Sequence, residues 1–410
     1  MDAQQLLLLI LIIVSAGFIF SQSLEWLNSK SMKPEIPESI AGFYDKEKYL
    51  QSLTYHKART KFDFWSSLFS LVVTLVILIT GAFGLLDTVL RNYFSGNLTI
   101  ALSFFGIIFL ISEIISLPFS WYSTFIIEER FGFNKTTIKT FFLDKIKGML
   151  LGAVIGVPLY WLFIRLIDWM GSGFWLWFGI AAALFMLLMN MFYTSILLPL
   201  FNRLTPLEDG ELKSAIIAYA EKVNFPINQI MVMDGSKRSS KANAFFSGIG
   251  KRKKVVLFDT LIEKHTTEEL VAVLAHEVGH YKKKHLITGL AIAVGQIFFT
   301  LWVLSYMIFN PALSGALGGT VLATHLNLIA FGILFSPISG ITGILSLLHS
   351  RKNEFEADAY ARRTYDAKPL ATALKKLSVD TLSNLFPHRL YVFFHYSHPT
   401  LLQRLNKLEN

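Results

Sequence analysis

The 410-residue sequence has no cysteine and little charge. Asp, Glu, Lys and Arg together make up 16% of it, against about 25% in soluble domains. Without cysteine there can be no disulfide and no thiolate metal ligand, so His, Asp and Glu are left to hold any metal. Acidic residues are the scarcer sign, 29 against 38 basic, for a net charge of +9. A basic excess can serve nucleic acid. Here the Lys and Arg lie in loops between apolar stretches, where an anionic membrane surface accounts for them and no nucleic-acid partner is expected. There is no internal repeat and no low-complexity linker. What dominates instead is apolar sequence: 53% hydrophobic and 14% aromatic.

A bilayer core takes about 20 apolar residues per helix. Stretches of that kind fall near 4–20, 64–90, 98–127, 148–170, 174–200, 286–309 and 325–349, seven expected spans. The first lacks the basic start and small-residue cleavage site of a signal peptide, so it reads as a helix. Basic residues follow the odd-numbered spans: Lys30 to Lys61 after the first, Arg130 to Lys147 after the third, and Arg351 and Lys352 after the seventh. The alternate loops are nearly bare, as in "GSG" between spans four and five. Seven spans with the N-terminus outside put every basic loop in the cytoplasm. The expected fold is mostly α, a polytopic membrane protein carrying a small α+β domain.

The expected organisation is a membrane region over 1–201, a polar segment over 202–285, two spans over 286–349 and a second polar segment over 350–410. In the first polar segment, "PLEDGELKSAIIAYAEKV" reads as a capped amphipathic helix. "QIMVMDG", "ANAFFSGIG" and "KKVVLFDTL" read as strands, the last two joined by a Gly- and Lys-rich turn, with a helix starting near Thr267.

That helix carries "HEVGH". His276 and His280, four apart, project from one face and can share a Zn²⁺, with Glu277 placed to take a proton from metal-activated water. A catalytic zinc needs a third protein ligand and an open fourth position. After span seven the chain reads "SRKNEFEADAYARR". Glu354 and Asp358 share a helix face, whereas Glu356 points elsewhere. Glu354 can complete the ligand set, and Asp358 can take the other ring N–H of a zinc histidine. Two antiparallel neighbouring spans would bring His280 and Glu354 together.

"HEVGH" with "NEFEADAYA" resembles zinc metallopeptidases. With "FIIEERFGFNKTT", "KANAFFSGIGKRKKVVLFDTL", "HYSHPTLLQRL" and the seven spans, the chain resembles the membrane-embedded CAAX prenyl proteases over nearly its whole length. The resemblance implies one Zn²⁺ per chain on His276, His280 and Glu354, with Glu277 as general base. It implies that the spans enclose a chamber, and that a C-terminal CAAX peptide bearing an isoprenyl group lies against Asn243, Ala244, Phe245 and Phe246. Such β-augmentation holds a backbone at an open strand edge; on sequence alone 243–246 is equally an ordinary core strand. The resemblance also places His398 and Arg404 at the site, where a cation can stabilise the oxyanion of the tetrahedral intermediate. Outside it they would read as a surface pair.

Other residues stay outside this reading. Glu113, in the middle of span three, and Asn190, in span five, are costly in lipid and fit helices around a hydrated interior. "IEERFGFNK" reads as a juxtamembrane stop, and His285 and His395 as bystanders. A quality-control zinc protease sharing HExxH is the competing enzyme reading; a transporter or scaffold with structural zinc is the non-enzymatic one. The absence of cysteine and of a retrieval signal at "NKLEN" favours a bacterial cytoplasmic membrane over the endoplasmic reticulum.

Overall fold

A computed structural model describes residues 1–247 and 254–409. The chain opens with α1 (Ala3–Ser31), whose N-terminus is closed by reciprocal bonds between Asp2 and Gln5. It continues through α2 (Lys46–Ile79), α3 (Ala82–Tyr93), α4 (Asn97–Tyr122), α5 (Ile138–Met170), α6 (Phe174–Phe192) and the short α7 (Leu198–Phe201). Next come β1 (Leu204–Pro206), α8 (Glu211–Lys222), β2 (Gln229–Met233), β3 (Ala244–Ser247), β4 (Lys254–Phe258) and α9 (Asp259–Ile262). The remainder is helical: α10 (Thr267–Lys282), α11 (His285–Met307), α12 (Pro311–Ala316), α13 (Thr324–Thr364), α14 (Ala367–Asp380), α15 (Arg389–His395) and α16 (Leu401–Glu409).

Six helical runs among the described residues are long and apolar enough to cross a bilayer. One of them, Ile138–Phe201, is interrupted at Gly171–Gly173, where it turns into the packed pair α5 and α6. Counting that run twice gives seven spans. Gly171 has φ +55°, a conformation glycine adopts without penalty. The second span differs from its expected limits of 64–90. Its helix begins at Lys46 and ends at Ile79, because Gly81 turns left-handed (φ +65°) and α3 starts as a separate helix. The other end of the molecule shows the opposite behaviour. No breaker stands between span seven and "NEFEAD", so α13 runs unbroken for 41 residues and the expected 349/350 boundary falls inside it.

The four strands form a sheet in the order β1-β2-β4-β3, with β2 and β4 parallel and the other pairs antiparallel. β1 was not anticipated; three residues containing a proline carry little strand signal. The 248–253 part of the expected Gly- and Lys-rich turn lies outside the described residues. The capping expected for α8 is absent: Gly210 offers no side chain there, and Asp209 pairs with Lys213 at 2.6 Å. A reciprocal cap of that kind stands instead before α10, between Thr266 and Glu269.

Packing is concentrated at the two ends. One core joins the sheet to α8, α10, α14 and α16 around Ile216, Val255, Leu274 and Leu405. At the far end Leu6, Ile10, Leu78, Phe104, Leu317 and Leu326 form another. Between them the spans bury little, 6–22% of their most apolar windows. A solid bundle would bury the inward stripe of each helix, about a third of its surface. The spans are therefore a wall around a space.

The far end is sealed by a contact with no room for side chains. A Cβ on Gly84 would lie 2.0 Å from the backbone of Gly318, whereas one on Gly106 would meet nothing within 4 Å. Gly84→Ala should cost about 1–3 kcal/mol by overpacking, seen as a lower Tm in detergent, while Gly106→Ala should leave Tm unchanged or raised.

Candidate active site

The site is built where α10 crosses α13. Gly279 makes the crossing close: a Cβ there would sit 2.9 Å from Cα of the fully buried Ala357 and 3.1 Å from its carbonyl oxygen. This approach sets the HEVGH face of α10 against Glu354 and Asp358. His276 Nε2 and His280 Nε2 are 3.2 Å apart. The Glu354 carboxylate lies 3.4 Å from the first through Oε2 and 3.2 Å from the second through Oε1.

Three ligands on a tetrahedral zinc, at about 2.0–2.1 Å each, would stand about 3.3 Å from one another. The three groups fit that spacing and form a His-His-Glu cluster able to hold a metal. Glu354 Oε2 is also buried without a hydrogen-bond partner, the condition of a lone pair reserved for a cation.

Neighbouring groups orient this cluster. His276 Nδ1 lies 2.8 Å from Asp358 Oδ1 and 3.3 Å from Arg404 Nη2; with its proton on Nδ1 towards the carboxylate, Nε2 is free to hold a metal. Arg404 grips Asp358 with two bonds, Nε to Oδ2 at 2.9 Å and Nη2 to Oδ1 at 2.6 Å, and reaches Glu354 at 3.4 Å. Burial opposes its charge, and the two carboxylates more than offset that effect. Arg404 is thus tied to Asp358 and Glu354 behind the cluster rather than standing free as the expected oxyanion donor. His398 is different. Its side chain is 60% exposed, with Nε2 3.3 Å from Glu354 Oε1, so it borders the cluster from the open side.

Glu277 lines a cavity of about 730 Å³ together with His280, Phe245, Asn190 and Tyr193. Burial raises its pKa above the ordinary carboxylate value. β3 lies at the edge of the sheet and among the described residues pairs with β4 alone, so its outer side presents a row of backbone donors and acceptors. Asn243 stands just before this strand, and Ala244, Phe245 and Phe246 lie within it.

Glu113 is paired with Lys145 of α5 at 3.0 Å, and Asn190 faces the cavity. "IEERFGFNK" is more than a membrane stop. Glu128 accepts from Tyr55 (2.8 Å) and Lys241 (3.0 Å), and Ser240 N donates to Phe133 O (3.1 Å). The stretch therefore braces the chain leading into β3. His395 hydrogen-bonds Tyr391, within its own helix. His285 is no bystander: its Nδ1 is 3.0 Å from His280 Nδ1. Its only sequence signal was a position five residues after a ligand.

A seven-span wall, a His-His-Glu cluster with His276 and Glu354 buried and His280 half-buried, an adjacent acid, and a strand edge beside them define a membrane-embedded metalloendopeptidase. Residues 25–203 match the family profile described as CAAX prenyl protease N-terminal, five membrane helices, and residues 206–410 match peptidase family M48. The chain belongs to the CAAX prenyl protease family of M48 peptidases.

It is similar to CAAX prenyl protease 1 of Saccharomyces cerevisiae, 34% identical over 96% of this chain and 93% of that protein. It is also similar to the CAAX prenyl protease 1 homolog of Homo sapiens, 31% identical over 91% and 88%. The crystal structure of S. mikatae Ste24p matches with a TM-score of 0.94 at 31% identity, covering 99% of each chain. These relatives give no support to the bacterial membrane that the lack of cysteine had favoured.

Two substitutions test the construction of the site. Gly279→Ala should push α10 from α13, lowering both Tm and the metal retained through purification, measured by elemental analysis. Asp358→Asn removes the nearer of two carboxylates paired with buried Arg404 and should cost up to about 3 kcal/mol, read as a fall in Tm that Asp358→Asn with Arg404→Met partly reverses.

Proposed function

We propose that this protein is a zinc endopeptidase that cleaves C-terminal CAAX-type peptides carrying an isoprenyl group, at the cytoplasmic end of a hollow membrane wall. The carrying observation is the convergence of His276, His280 and the Glu354 carboxylate, whose Oε2 has no hydrogen bond, beside Glu277 at a cavity bordered by β3. Basic residues after the odd-numbered spans support a cytoplasmic placement of that end.

His276, His280 and Glu354 would hold the ion, and the cluster fits one Zn²⁺. When bound, zinc supplies the Lewis acid that polarises the scissile carbonyl and makes water a nucleophile near neutral pH. Glu277 takes the proton of the attacking water; burial keeps its carboxylate basic enough to accept it and then deliver it to the leaving amine. His398, on the open side, donates to the developing oxyanion. Arg404 acts through Asp358 and Glu354, holding both carboxylates where His276 needs them. The substrate backbone pairs with the edge formed by residues 243–246, which holds it extended without reading its side chains. The lipid group occupies the space among the spans, entered past Met186, Met189 and Ile292 of the cavity lining.

The test compares cleavage of one CAAX peptide in farnesylated and unmodified form by the purified protein in detergent. Cleavage of the farnesylated form is expected. It should fall about 10²–10⁴-fold in Glu277→Gln with zinc content unchanged, and about 10²–10³-fold in kcat in His398→Ala. Equal cleavage of both peptides would remove prenyl recognition from the reading, and cleavage of neither would remove the substrate class.

A further inference from the structure

The turn between α10 and α11 aims a third histidine at the metal cluster. Lys284 closes α10 in the left-handed conformation (φ +60°), unusual for a residue with a side chain. The reversal makes His285 the first residue of α11 and folds its imidazole back against the preceding helix, where it is 7% exposed. There His285 Nδ1 lies 3.0 Å from His280 Nδ1, and its Nε2 lies 3.3 Å from Glu356 Oε2 on α13. Glu356 is the carboxylate of the acidic stretch that does not face the cluster. Its position off that face is what lets it meet His285 from the other side.

The chain of atoms has one consistent proton assignment. His280 directs Nε2 towards His276 and Glu354, so that atom must keep its lone pair for the ion and the ring proton resides on Nδ1. That N–H donates to Nδ1 of His285, and the Nε2–H of His285 donates to Glu356. His276 has its counterpart in Asp358, a direct carboxylate acceptor. His280 has no carboxylate within reach of Nδ1 among the described contacts; an imidazole stands between.

We propose that His285 is the positioning residue for the ligand His280: it accepts the Nδ1 proton, passes the polarisation to Glu356, and so fixes the tautomer and ring angle with which His280 meets the metal. This rests on the ligand set proposed above. His285 lines the cavity beside His280, and the effect proposed for it is on how tightly the ion is held.

The experiment measures zinc dissociation constants of the full-length protein in detergent, by competition with a chromogenic chelator, for wild type and for His280→Ala, His285→Phe and His285→Asn. Phenylalanine keeps an aromatic ring and removes the acceptor; asparagine restores an acceptor near the same place. We expect His285→Phe to weaken zinc about 10–100-fold and His285→Asn to recover most of the loss. His285→Ala replaces the phenylalanine variant if the latter does not fold. If His280→Ala weakens zinc while the acceptor-free variant binds it as wild type does, the role of His285 is overturned and the ligand set stands. If His280→Ala binds zinc as wild type does, the ligand set itself fails and the inference with it.

Discussion

Everything in the site depends on how closely two helices approach at one missing side chain. Gly279 lies inside the HEVGH turn of α10, and Ala357 faces it from α13; their backbones nearly touch. Metal-ligand geometry tolerates errors of only about 0.2 Å. Two histidines on one helix fix their mutual spacing by helical geometry alone, but the glutamate arrives on another helix and its distance is set by packing. A glycine at the crossing converts that distance from an adjustable quantity into a steric stop. The bidentate grip of Arg404 on Asp358 acts alongside it, tying α16 to α13 and holding Asp358 against His276.

The wall and the site follow different physical logics. The site end is packed through a contiguous core of sheet and helices, so its side chains have fixed partners. The far end is closed by glycine contacts and by the buried Asp87, which accepts from Arg91 and meets His325 at 2.9 Å. The middle is held by its ends. A helix wall of this kind keeps an interior accessible between two packed closures.

Much of this was legible in the residues. Apolar length counted the spans, and charge alternation between loops gave them an orientation. Periodicity of four placed His276 with His280 and Glu354 with Asp358. The missing parts were those that depend on distances between elements remote in sequence. Nothing local in "IEERFGFNK" says that Glu128 meets Lys241, because 113 positions separate them. His285 looked isolated because its meaning lies in a left-handed Lys284, and a lysine gives no turn signal. Arg404 was expected at the site but on the wrong side of it, since only packing shows which carboxylate claims a guanidinium first.

The unbroken course of α13 has a mechanical consequence. At 1.5 Å per residue, its 41 residues make a rod about 60 Å long, twice the thickness of the hydrocarbon core. Glu354 rides on that rod about 45 Å from its far end, and the helix continues through its one interior proline, Pro337, without a break. A tilt of the span is therefore carried along one helix to a place where the Gly279 crossing and the Arg404 grip resist it. The same helix thus belongs both to the lipid-embedded wall and to the packed end that carries Glu354.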